Sequence, residues 1–220
     1  MSTDYIAPFA LWIVVRRIQR RDGSCGVEPA WVGRGKHGGL AIFVSRLHAY
    51  VYAALRNIHR AHDDADDWRC IPLHAFDLQG HGLDTHGPLN CAMTFAFACD
   101  STGALIITKG APCLCFVEVT FDLPNLDADM VFNFSQGVFE VMREQWARVG
   151  AYGYPESIDR TAAMDDLTFA YALGVALDVA SLTRTEPDGD HWTVYDAETV
   201  RWISTPARSS VAPRTMLTIH

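Results

Sequence analysis

The chain is poor in lysine, and its basic side chains are outnumbered by acidic ones. Only two of its 18 basic residues are lysines, against 26 aspartates and glutamates, which gives a formal net charge of −8. Affinity for DNA or RNA depends on many cations that neutralise phosphate groups. This balance of charge therefore predicts no nucleic-acid partner.

The chain also lacks a long apolar run. Residues 6–15 are an apolar stretch of ten, about half of what a helix needs to cross a bilayer. The arginines follow this stretch, whereas in a secretory signal peptide the positive charges come first. The sequence predicts neither a membrane span nor a signal peptide. A surface contact with anionic lipid stays open as an alternative, through Arg16, Arg17, Arg20 and Arg21.

Motifs with catalytic or metal-binding spacing are missing as well. There is no Gly-x-Ser-x-Gly elbow, and the six cysteines have the spacing of neither a zinc site nor a disulfide framework. Cys113 and Cys115 stand two apart in an apolar segment, so they share one side of a strand and favour core filling. Free thiols are typical of a reducing compartment, and we therefore expect a cytoplasmic location.

What the chain does have is a strongly apolar stretch at residues 91–122. In its first part, bulky side chains alternate with small ones, so that Met93, Phe95 and Phe97 share one face of a strand and alanines share the other. Turn residues around Gly103 and Gly110 divide the stretch into three. The pattern predicts a three-strand meander at the centre of an antiparallel sheet that has one face covered by helices.

Helical spacing of apolar side chains predicts helices over residues 46–62, 131–149 and 165–182. In the last of these only Thr168 is polar between Leu167 and Leu177, which predicts a helix buried on most sides. Residues 22–39 and 79–90 are rich in glycine and predict loops. The sequence predicts one α+β domain over residues 1–204, with a mostly antiparallel sheet, and an extended or mobile tail over 205–220.

Negative charge is concentrated in the body of the chain. Residues 61–200 carry 23 acidic side chains and only six basic ones. Such a surface attracts a basic partner and raises its rate of association. The side chains that we expect to contact this partner are Asp63, Asp64, Asp66, Asp67, Asp122, Asp127 and Asp129.

One segment has the residue types of a metal site. Five side chains that could bind a divalent cation such as zinc fall within thirteen residues, namely His74, Asp77, His81, Asp84 and His86. Their spacing matches no regular pair of ligands on a helix or strand, and loops between strands often have this composition. The segment is therefore a candidate metal site only under an alternative interpretation.

The leading interpretation is a cytoplasmic protein without catalytic activity or cofactor that binds another protein through its acidic surface. An inhibitor is one such protein. Toxin-neutralising immunity proteins of bacteria are a comparable class, since they are often small and acidic, but the comparison is only by analogy. The first alternative is a metal-dependent enzyme of the hydrolase type that uses residues 74–86. The second is a scaffold of identical subunits joined at a sheet edge. The sequence specifies no oligomeric state.

Overall fold

A computed structural model describes residues 3–19, 23–34, 37–59, 66–84, 88–123, 130–187 and 191–205. Helices and strands alternate irregularly along the chain, and the predicted α+β class is confirmed. The strands are β1 Asp4–Ile6, β2 Trp12–Gln19, β3 Cys25–Pro29, β4 Trp31–Arg34, β5 His37–Phe43, β6 Arg69–Pro72, β7 Leu89–Ala98, β8 Leu105–Thr108, β9 Ala111–Pro112, β10 Leu114–Phe121, β11 Val131–Asn133, β12 Leu182–Thr183, β13 Trp192–Asp196 and β14 Arg201–Ser204. The helices are α1 Arg46–His59, α2 Leu78–Asp84, α3 Gln136–Arg148, α4 Tyr154–Ala163 and α5 Asp166–Asp178.

One large sheet organises the fold. Its strands follow the order β14-β13-β7-β5-β2-β3, with β10 paired to β7, β4 to β5 and β6 to β2. The pairing is antiparallel except between β5 and β7, which run parallel because α1 lies in the crossover that connects them. The mostly antiparallel sheet is therefore confirmed.

The three strands predicted over residues 91–122 form, but they do not pair as a meander. β10 pairs directly with β7, whereas β8 joins β9 and β12 in a separate small sheet. The cause is local. Lys109 and Gly110 both have positive φ, which closes a tight hairpin between β8 and β9. The amide of Cys113, just after Pro112, donates to the carbonyl of Ile106 at 2.8 Å, and β10 then begins at Leu114 beside β7.

The three predicted helices also form, as α1, α3 and α5, with shorter bounds. The predicted helix over 131–149 begins later, since Val131–Asn133 instead pairs in parallel with Asp4–Ile6. Two predicted loops contain regular structure. Residues 22–39 include β3, β4 and the start of β5, and residues 79–90 include most of α2 and the start of β7.

Helices cover both faces of the large sheet, not one. Ile13, Ile42 and Met93 point into a core completed by α3 and the first residues of α4. Their sequence neighbours Val14 and Phe43 point the other way, into a core completed by α1 and the inner side of α5. Of the predicted tail, only Thr205 lies within the described residues, where its amide donates to the carbonyl of Trp192 at 2.9 Å.

Candidate functional site

The helix α5 begins at a well-formed cap. The Asp165 carboxylate accepts hydrogen bonds from the amides of Leu167 and Thr168, both at 3.0 Å, and these bonds satisfy two of the helix's free N–H groups. The bond from Thr168 is the main reason that the pKa of Asp165 is lowered. The aspartate is fully solvated and ionised, so it also complements the positive end of the helix dipole.

Arg46 of α1 holds the first turns of α5 in place. Its guanidinium lies 3.9 Å above the ring of Phe169 and within 6 Å of the rings of Trp12 and Tyr50. One of its terminal nitrogens donates to the carbonyl of Met164 at 3.0 Å. The Arg46 side chain is only 12% exposed, so these contacts are made with little water present.

The far end of α5 rests on β14. The indole nitrogen of Trp202 donates to the carbonyl of Ala176 at 3.2 Å. The same indole is stacked on the imidazole of His48, with the planes 10° apart. Phe169 and Ala176 are the two residues of α5 that are fully buried. The helix is thus fixed at both ends and along one narrow inner side.

The outer side of α5 is apolar and exposed. Leu167 is 84% exposed and Tyr171 is 76% exposed, and Ala170 and Gly174 also face outward between and beyond them. The prediction of a helix buried on most sides is therefore wrong, because no further layer of the described fold covers this side. We call the exposed residues of this side the α5 surface, and they are Leu167, Ala170, Tyr171 and Gly174.

The charged side chains of the segment that carries the α5 surface have one sign. Residues 165–182 contain three acidic side chains and no basic one. Asp165 and Asp166 lie at the start of the helix and Asp178 at its end, and all three are exposed. Arg46, which is the nearest cation on α1, is already engaged, since it reaches Asp166 at 3.3 Å. An apolar stripe with carboxylates at both ends suits a partner that combines apolar and positive groups.

The aspartates predicted to contact a partner lie elsewhere. Asp122 is exposed just after β10, Asp67 is exposed before β6, and Asp66 is half-buried. The remaining four, Asp63, Asp64, Asp127 and Asp129, lie outside the described residues. The sequence did not single out Leu167 or Tyr171. The sequence feature that could have indicated this surface is a predicted helix with no polar side. Such a helix is either enclosed by the fold or presents one face to another molecule.

The described residues of the predicted metal site have local structural roles. His74 is exposed on a 3-10 turn, and the Asp77 carboxylate accepts from the amide of Gly80 at 3.0 Å at the start of α2. The ring of His81 lies 5.8 Å from that of Phe76. Asp84 ends α2, and His86 lies outside the described residues. The structure, where it is described, brings no three His, Cys, Asp or Glu side chains together around a metal position. The metal site stays a prediction.

Two further polar clusters are built into the fold. His48 is buried, and its Nε2 accepts from the amide of Tyr195 at 3.0 Å, so the proton of the neutral ring lies on Nδ1. The Tyr154 hydroxyl lies 3.0 Å from both ring nitrogens. Burial lowers the pKa of His48 to about 3. Glu118 accepts from the amide of Gly38 and contacts Nδ1 of His37 at 2.8 Å. The first cluster is closed to solvent, and the second holds β10 to β5 across β7.

Comparison of the chain with protein-family models, with curated proteins and with solved structures finds no match. Along the described stretches, no helix is both long and apolar enough to cross a membrane. All six cysteines lie in the described part of the chain and are free thiols.

Proposed function

We propose that this protein is a cytoplasmic binding protein that docks another protein on the α5 surface. The observation that carries the proposal is the exposure of Leu167 and Tyr171 on the outer side of a helix that is fixed at both ends. Exposed apolar patches on a helix that is already ordered are typical of interaction sites, because little conformational entropy is lost when a partner docks.

The proposed partner is a basic, amphipathic segment of a protein. Tyr171 supplies a large side chain with a polar tip, the type that contributes most to binding energy at interfaces. Exposed Ala170 and Gly174 leave room for close approach beside it. The carboxylates of Asp165, Asp166 and Asp178 attract positive charge and repel an acidic competitor. Inhibition or toxin neutralisation, as the sequence predicts, would be a consequence of such docking.

The free thiols support the cytoplasmic part of the proposal. Six cysteines without a disulfide bond fit a reducing compartment. Burial raises the pKa values of the Cys70 and Cys91 thiols far above neutrality, so these two are protected from oxidation.

The test uses two synthetic peptides with the same apolar helical pattern, one with lysine and one with glutamate at its polar positions. We expect the lysine peptide to bind saturably by fluorescence anisotropy, and to bind more weakly as salt is raised from about 0.05 M to about 0.5 M, because screening shortens the reach of the carboxylates. Tyr171→Ala should weaken binding by about 30-fold, the cost of a central anchor. The glutamate peptide should not bind.

Trp31→Ala is the matched control, because Trp31 is also a large aromatic side chain, is 54% exposed, and belongs to β4 and not to α5. Equal losses from Tyr171→Ala and Trp31→Ala would overturn the proposal, as would equal binding of the two peptides. Sedimentation of the protein alone gives a further outcome. Dimers abolished by Leu167→Asp would show that the α5 surface pairs with a second copy, and would overturn the assignment to a basic partner.

A further inference from the structure

A pocket of about 450 Å³ lies between α3, α4 and the chain segment before β2. This volume is within the range of sites that bind small molecules, about 300–1,000 Å³. It is separate from the α5 surface and shares no residue with it. Its lining consists of Pro8, Phe9, Arg143, Ala147, Ala151, Tyr152, Pro155, Glu156 and Asp159.

The walls of this pocket are held by a tight turn. Gly150 follows the end of α3 with φ of 78°, a conformation that glycine adopts without strain. The amide of Ala151 donates to the carbonyl of Trp146 at 3.0 Å, which brings the chain back to α3. α4 then begins at Tyr154, whose side chain is buried against His48. The pocket is therefore formed by fixed backbone and exists before a ligand arrives.

The apolar floor is equally well supported. Phe9 is buried and packs edge-on against Phe139 and Trp146, with ring centroids 5.8 and 6.4 Å away. Pro155, at the start of α4, and Ala147, on α3, add apolar groups on either side. A ligand that enters the pocket thus meets an apolar centre.

Opposite charges line the two walls. Arg143 stands on the α3 wall, with its guanidinium carbon 5.4 Å from the centre of the Phe9 ring. Glu156 and Asp159 stand three residues apart on α4, on one face of that helix. Among the ion pairs within the described residues, none joins Arg143 to either carboxylate. Arg160, which follows Asp159, is by contrast paired with Glu198 at 2.6 Å.

We propose that this pocket binds a zwitterion with a free amino group and a free carboxylate, either a free amino acid or a short peptide with free ends. The carboxylate pairs with Arg143, the ammonium group lies against Glu156 and Asp159, and an apolar side chain covers Phe9. An anion alone is repelled by two carboxylates and a cation alone by the guanidinium, so only a ligand with both charges is complementary. The inference does not depend on the proposed docking on the α5 surface.

The test is a titration of the folded protein, followed by NMR, with L-leucine, dileucine, leucinamide and N-acetylleucine. The charged groups of the pocket are solvated, so we expect dissociation constants on the order of 0.1–1 mM for the matching zwitterion. Leucinamide lacks the carboxylate and N-acetylleucine lacks the ammonium group, and each should bind about three- to fivefold more weakly, the contribution of a solvated ion pair. If leucine binds more tightly than dileucine, the ligand is a free amino acid, and if dileucine binds more tightly, it is a short peptide.

Two pairs of variants test the assignment of each wall. Arg143→Gln should weaken binding of the zwitterion about three- to fivefold, while Arg148→Gln, also exposed on α3, should leave it unchanged. Glu156→Gln should weaken binding, and Glu140→Gln should not. The proposal is overturned if no zwitterion binds saturably, if leucinamide binds as tightly as leucine, or if the control variants weaken binding as much as the pocket variants.

Discussion

Replacement of Arg46 by alanine should loosen α5 while the large sheet stays folded. The guanidinium donates to the carbonyl of Met164, lies 3.9 Å above Phe169 and is almost enclosed. Apolar packing adds little to the attachment of α5, because few of its side chains are fully buried. The attachment of this helix therefore depends on Arg46 to an unusual degree.

The magnitude follows from the contacts. A hydrogen bond from a charged donor contributes about 1.5–3 kcal/mol, and a poorly solvated cation over an aromatic ring about 1–2 kcal/mol. Asp166 is fully exposed, so its pairing with Arg46 adds little. The buried Nε of Arg46 has no hydrogen-bond partner within the described residues, which offsets part of the gain. The net loss in Arg46→Ala is about 2–4 kcal/mol, since such contributions are not additive.

Hydrogen exchange of individual amides measures this loss at the helix itself. Protection of the α5 amides should fall by about 30- to 1,000-fold, because each 1.4 kcal/mol is a factor of ten, while amides of β7 keep their protection. Arg46→Lys should give an intermediate loss, since it keeps the charge but not the planar stack.

Arg56→Ala is the control for this experiment. Arg56 is also on α1, but within the described part of the chain its hydrogen bond and ring contacts are with Tyr52 and Trp68, the latter at 3.6 Å, and not with α5. The reasoning is refuted if Arg46→Ala leaves exchange in α5 unchanged, or if Arg56→Ala accelerates it equally.

Two further predictions concern the polar clusters. The folded pKa of His48, about 3, is below the unfolded value of 6.5, so its contribution to stability is complete above pH 6.5 and is lost toward pH 3. In urea unfolding, His48 should contribute a loss of about 1.4 kcal/mol per pH unit in this window, so the pH dependence should be shallower by that amount in His48→Gln and unchanged in His74→Gln. Glu118→Ala should lower the free energy of unfolding by about 1–3 kcal/mol, because it leaves the amide of Gly38 without its acceptor. An unchanged urea midpoint would contradict that assignment.

The alternation of large and small side chains predicted β7, and the turn residues around Gly103 and Gly110 separated β8 and β10 from it, but neither pattern predicted which strands pair. Periodicity tells which face a residue occupies and says nothing of the strand beside it. The turn at Lys109 and Gly110 was predicted, but not that β8 pairs there with the short β9 while β10 pairs with β7. The class of the fold was therefore predictable, and the topology was not.

Glycine content led to the wrong prediction of loops over residues 22–39 and 79–90, for a different reason in each segment. Gly39 belongs to a strand because its missing side chain allows β5 to lie against the backbone at Asn90. In α2, Gly82 is buried against Leu89 and Leu123, so tertiary packing outweighs its poor helix propensity. The sequence did not indicate the candidate site, because an apolar helix has the same sequence pattern whether the fold encloses it or leaves one side exposed.

The strand β13 has a consequence for synthesis of the chain. Trp192 and Val194 contribute to the core under α3, Tyr195 contributes to the core under α1, and its amide also completes the bonding of His48. Neither core can close on the ribosome until this late strand has left the exit tunnel. A product terminated before residue 192 would leave the edge of β7 at Phe97 and Ala98 without its partner, and would be a ready substrate for proteases.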